Sequence, residues 1–96
     1  MAVTDTVAKK AWRVRNVAIS NGVNGTQIDT SPLPERCALQ LAAHATETIF
    51  VGDSATTCFY PILPASGAFA AAMGHELPLF ARATGVIAAQ PLIELA

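Results

Sequence analysis

The chain has 96 residues, 52% of them hydrophobic and only 14% charged, with a formal net charge of -1. This length bounds it to one domain. A charged share well below the usual ~25% leaves little polar surface to cover a small body, which implies a sizeable contact surface. Four of the six basic residues, Lys9, Lys10, Arg13 and Arg15, stand in the first fifteen positions. They fall short of the basic face that nucleic acid binding requires, so nucleic acid is excluded as a partner.

Residues 1–11 lack periodicity and are expected as a loose N-terminal arm; residues 12–96 are expected as a single β-domain. Trp12–Ile19 reads as the first strand. Trp12 and Val14 share one parity and Val17 and Ile19 the other, which predicts a bulge near Arg15-Asn16. The two Asn-Gly pairs between Ser20 and Gly25 mark the clearest turn, because Asn-Gly tolerates positive φ. Gln27-Ile28-Asp29 is at most a short strand. Ser31-Pro32-Leu33-Pro34 is an extended connector, since proline has no N–H for a ladder. Arg36–Ala43 alternates best, with Cys37, Leu39 and Leu41 on the inward face. His44–Glu47 then links it to Thr48–Val51 in an expected hairpin.

Ile49-Phe50-Val51 ends at Gly52-Asp53-Ser54. Tyr60–Pro64 follows as an extended apolar piece. Phe69–Met73 is Ala-rich, but Gly67 and Gly74 leave too little length for a stable helix, so a strand is expected. Leu77–Ala83 and Val86–Leu95 complete six to eight short strands. These predict an all-β domain, a small antiparallel β-sandwich or barrel with jelly-roll-like connections. Val17-Ala18-Ile19 is too short for the apolar region of a signal peptide. The uncharged stretch Ser54–Gly74 is broken by Pro61, Pro64 and Gly67, so no membrane span is expected.

Phe50-Val51-Gly52-Asp53-Ser54 resembles the first block of the GDSL (SGNH) esterases, whose serine is a nucleophile. A serine nucleophile needs a histidine base and a group to orient it. No His or Asp follows Ala83, and His75 has no Asp three residues before it, so an Asx-type turn is the expectation here. Cys37, Cys58, His44 and His75 are spaced Cys-x6-His and Cys-x16-His. Structural zinc sites hold their ligands in tighter pairs than either of these, so no metal site is assigned. Free thiols are expected, although a Cys37–Cys58 bridge is compatible with flanking one hairpin. The carboxylates are scattered, no phosphate or dinucleotide fingerprint is present, and no cofactor is expected. Trp12, Phe59, Tyr60 and Phe80 carry most of the large apolar area, and Trp and Tyr are typical interface anchors.

The latter two thirds of the chain resemble a group of small bacteriophage virion proteins. The matching pieces are Ile49–Ser54, Thr56-Thr57, Tyr60–Pro64 with Gly67, Leu79–Ala83 with Gly85, and Leu92–Leu95; Pro32-Leu33-Pro34 before a strand also fits. The chain departs from that pattern at Cys58, Phe59 and the run Ala70–Ala72. The resemblance implies a non-enzymatic structural protein of the virion, assembled in the host cytoplasm. A capsid decoration (cement) protein is the first choice. It would bind the major capsid protein or another virion protein through its N-terminal arm and self-associate, as a homotrimer. The expected interface residues are Lys9, Lys10, Trp12, Arg13, Arg15, Tyr60 and Phe80. A tail, head-fibre or spike-base component is the alternative within that class. From another class, a small carbohydrate- or ligand-binding β-module would use Trp12, Tyr60 and Asp53.

Overall fold

Apolar runs of a few residues, each closed by Gly, Pro, Asn or Asp, are too short to nucleate helices and long enough to pair as strands. The computed structural model, which describes residues 11–65 and 67–96, has strands as its only regular elements. They are β1 (Trp12–Ile19), β2 (Thr26–Gln27), β3 (Ala38–Ala42), β4 (Ile49–Gly52), β5 (Tyr60–Ile62), β6 (Ala68–Ala71), β7 (Phe80–Ala83) and β8 (Ile87–Leu95). They form two four-stranded sheets, ordered β1-β8-β3-β6 and β2-β7-β4-β5. Every pairing is antiparallel. Of consecutive strands, only β4 and β5 share a sheet. The chain thus passes back and forth across the core, the wrapping of a jelly-roll sandwich. Leu39, Leu41, Leu92, Ile19 and Ile87 of the first sheet meet Ile49, Val51, Ile62, Ala81 and Ala83 of the second.

Three expectations change. First, β3 and β4 form no hairpin: β3 pairs with β8 and β6, and β4 with β5 and β7. Leu39 and Leu41 must face Ile49 and Val51 across the core, which requires packing between sheets and not pairing within one. The link is folded by His44, whose Nδ1 accepts the N–H groups of Thr46 at 3.2 Å and Glu47 at 3.1 Å. Second, the bulge is not at Arg15-Asn16. The register is unbroken from Trp12↔Leu95 to Val17↔Gln90 and shifts only between Val17 and Ile19, which pairs with Ile87. The extra residue lies in β8, where Ala88 and Ala89 are both exposed between buried Ile87 and Gln90. Arg13 and Arg15 therefore lie on the same inward side as Val17 and Ile19, while Trp12 and Val14 point outward. Third, Cys37 is not an inward residue of the strand: it precedes β3 and is exposed, while Cys58 is buried, and both are free thiols as expected.

The Ala-rich segment is a strand, as its flanking glycines imply, and Phe69 packs against the core. At the end of β4, a Cβ on Gly52 would meet the Thr57 carbonyl and Cys58 N, backbone atoms that close the following turn. Gly52→Ala is therefore expected to cost about 1–3 kcal/mol in urea unfolding. Gly22→Ala, whose Cβ would meet nothing nearer than Asn24 O at 3.5 Å, is the matched control and is expected to stay within about 0.5 kcal/mol.

Candidate functional site

The largest concentration of charge is inside the sandwich. Arg36 is 2% exposed, Asp29 1% and Glu94 0%. Charges this deep persist only when paired and fully hydrogen-bonded. Arg36 Nη1 donates to Asp29 Oδ2 at 2.9 Å and to Glu94 Oε2 at 3.3 Å. Its Nη2 donates to the carbonyls of Gly74 at 2.8 Å and Leu77 at 2.9 Å, and its Nε to that of Met73 at 3.3 Å. Asp29 Oδ1 accepts the Leu79 N–H at 2.9 Å and Gln27 Nε2 at 3.1 Å. Glu94 also accepts the Leu33 N–H at 3.2 Å and Arg13 Nη2 at 2.6 Å, with Arg15 Nε 3.1 Å away. The connector delivers Arg36 with Ser31 at φ 52° and Glu35 at φ 57°, left-handed backbone that non-glycine residues adopt at a cost. Arg13 and Arg15 also donate to the Ser31 and Thr30 carbonyls, at 2.9 and 2.7 Å.

The opposite side of the same sheet is a surface without charge. Direct pairing places Trp12, Leu95 and Ala38 in one row, and Val14, Ile93, Gln40 and Ala70 in the next. The next carries Asn16 with Pro91, and Ala42 with Ala68. Trp12 is 66% exposed, Val14 52% and Leu95 41%. The only polar side chains on these rows are Asn16 and Gln40.

At the open side between β5 and β6 lies an apolar pocket of about 240 Å³, lined by Val51, Tyr60, Phe69, Met73 and Leu79, with Asp53 at its wall. The Tyr60 and Phe69 rings meet edge to face at 5.7 Å. Asp53 belongs to the Gly52-Asp53-Ser54 turn. Thr57 Oγ1 donates to Asp53 Oδ1 at 2.6 Å, and Ser54 N–H donates to Thr57 Oγ1 at 3.0 Å. The Ser54 hydroxyl is 2.8 Å from the same Thr57 oxygen. Burial pushes the Cys58 thiol up, the Arg82 charge opposes that and the Asp53 charge adds to it, leaving the pKa above its ordinary value. A thiol so held is a poor nucleophile at neutral pH. Among the described residues, no group of three or more His, Cys, Asp or Glu side chains is gathered as a metal ion would need.

The expected interface residues therefore do not share one surface. Trp12 stands on the uncharged face, Tyr60 at the pocket, and Phe80 half-buried on the outside of the second sheet, where it pairs in register with Gln27. Arg13 and Arg15 turn inward to Glu94 and are not free cations of an arm. Lys9 and Lys10 lie outside the described residues. The sequence reading missed the Asp29–Arg36–Glu94 cluster and the outward row of Ile93 and Leu95. The shared parity of Trp12 and Val14 was the available signal for that face. Comparison with known protein families, curated proteins and solved structures found no match for the chain.

Burial pushes the Glu94 carboxyl up, but the Arg13 hydrogen bond, the Leu33 N–H and the charges of Arg15 and Arg13 outweigh it and hold it below the ordinary carboxylate value. A carboxylate depressed on folding contributes stability that is complete above its unfolded pKa and is lost as pH falls through the folded one. The urea midpoint is thus expected to be flat near neutrality and to fall below about pH 4.3, the ordinary glutamate value. Glu94→Gln is expected to flatten that acid slope. Arg36→Met, which leaves two carboxylates and three carbonyls short of a donor, is expected to cost about 3–5 kcal/mol at pH 7.

Proposed function

We propose that this chain is a non-enzymatic structural protein that works by association through the outer face of the β1-β8-β3-β6 sheet, and that its setting is a virion, as a capsid decoration protein. The observation that carries the reading is the uncharged, apolar face centred on Trp12, Val14, Ile93 and Leu95. A monomer that met only water would gain nothing by directing these side chains outward while Arg13, Arg15 and Glu94 point inward. The jelly-roll order adds a fold-level analogy, since viral capsid domains use it, as do lectins and cupins. The virion setting itself rests on the resemblance of the Ile49–Ser54, Tyr60–Pro64 and Leu92–Leu95 segments. In this reading the partner is the major capsid protein or another virion protein, and the N-terminal arm with Lys9 and Lys10 contributes to docking.

A small ligand-binding module is the second reading. One observation favours it: Tyr60 and Asp53, two of its three expected residues, line the same pocket. Trp12 belongs to the other sheet's outer face and would take no part.

Quantitative mass spectrometry of purified particles from the producing culture tests the first reading. Hundreds of copies per particle are expected for a shell-coating protein. A few dozen or fewer would move the protein to a tail, fibre or spike base, and none would overturn the virion setting. Removal of residues 1–10 is expected to leave cooperative thermal unfolding intact and to lower the copy number. Loss of cooperative unfolding would show that the segment belongs to the folded domain.

A further inference from the structure

The uncharged face is not uniform. Its β1-β8 half carries the bulky side chains Trp12, Val14, Ile93 and Leu95, and its β3-β6 half carries Ala38, Ala42, Ala68 and Ala70 around Gln40. One half is raised and the other is bare. We infer that the occupant of this face is a second copy of the chain, related by a two-fold axis that runs along the strands between β8 and β3. This rests on the reading of the face as the working surface. Such an axis carries the partner's β1 over β6 and its β8 over β3. Val14 then sits on the partner's Ala70, Leu95 on its Ala38, Pro91 on its Ala42 and Asn16 on its Ala68, each against a small side chain, while Ile93 lies against the partner's Gln40. A two-fold axis across the strands would instead set β1 and β8 against the partner's β1 and β8, bulk against bulk, and the bare β3 and β6 against their own copies. The surface is self-complementary in only the first arrangement, and the contact is isologous and closes at two copies. It thereby replaces the trimer that the sequence resemblance implies.

The area fits a weak pair. The overlap is limited by β3 with 5 residues and β6 with 4; four strands ~4.8 Å apart at ~3.3 Å per residue then give a flat footprint of about 300 Å² per copy. Two footprints make about 600 Å² before side-chain relief, the scale of a weak, transient contact. No ion pair crosses the face, since Asn16 and Gln40 are its only polar side chains. The dimer is therefore expected to form in the micromolar range and to be little affected by salt. Two sheets stacked in this way lie ~10 Å apart with their strands nearly aligned.

Sedimentation velocity of the full chain from about 1 µM to 1 mM tests the inference, with circular dichroism to verify the fold of each variant. The wild type is expected to shift from the monomer to the dimer mass across this range, at low and at high salt. Val14→Lys alone and Ala70→Glu alone are each expected to raise the dissociation constant at least ~10-fold, because each buries an unpaired charge. The two substitutions lie three strands apart within one copy, so they do not bridge internally. The double variant V14K/A70E is expected to restore dimerisation and to make it salt-sensitive. A wild type that stays monomeric at every concentration, a trimer, a dimer indifferent to both single substitutions, or a double variant that stays monomeric overturns the pairing. Copy number in particles separates this from the broader reading. A monomeric wild type whose incorporation still falls in A70E would leave the face as the docking surface for another protein. Unchanged incorporation in A70E would remove the face from that role as well.

Discussion

The Asp29–Arg36–Glu94 cluster is the constraint on which the arrangement of this sandwich depends. Arg36 reaches five oxygens from three parts of the chain: Asp29 after β2, Glu94 in β8, and the carbonyls of Met73, Gly74 and Leu77 between β6 and β7. Asp29 in turn holds the Leu79 N–H, and Glu94 holds the Leu33 N–H and Arg13. A buried ion pair adds little net stability compared with an apolar replacement, but breaking one is costly. Its effect here is on register. A one-residue slip of β1 against β8 would carry Arg13 and Arg15 to the outer face and Trp12 and Val14 toward the charges. The cluster penalises that slip from both sides.

The same alternation links the inside of the sheet to its outside. Side chains alternate every residue along a strand, so an inward Glu94 sends Ile93 and Leu95 outward, and inward Arg13 and Arg15 send Trp12 and Val14 outward. The uncharged face and the buried cluster are thus two sides of one pattern. Edge strand β1 also gains from it, because inward-pointing charges and their ties to the Thr30 and Ser31 carbonyls discourage pairing with another chain. Strand β6, at the other edge, carries only Ala and Phe.

Strand positions were legible because alternation and turn residues are local. Trp12–Ile19 is the first strand, and the Ala run is a strand because Gly67 and Gly74 confine it. The sandwich class and its jelly-roll character followed from many short strands with regular punctuation. Long-range placement was not legible. Nothing local distinguishes a hairpin link from one that crosses the core, and His44–Glu47 crosses it through hydrogen bonds to one imidazole. Arg36 and Glu94 are 58 positions apart, so their pairing leaves no spacing signal. The parity of Trp12, Val14, Val17 and Ile19 was seen, but it was read as a flip within β1. In fact the charged residues are the inward ones, and the flip lies in β8 at Ala88-Ala89.

That misreading has one physical source: the premise that charge faces water and apolar side chains face the core. At the Trp12–Leu95 end of the sheet the reverse holds, and the inversion is complete enough to be structural and not incidental. Glu94 is fully enclosed while its neighbour Leu95 is 41% exposed, and on the opposite strand Arg13, half-buried and paired with Glu94, stands beside the more exposed Trp12. Exchanging the two sets would give an ordinary apolar core under a charged surface, a better design for a solitary monomer. The inverted pattern gains only when the outer face is covered. A cover then buries Trp12, Val14, Ile93 and Leu95 at no further cost in buried charge, because the charges on these strands are already paired on the other side.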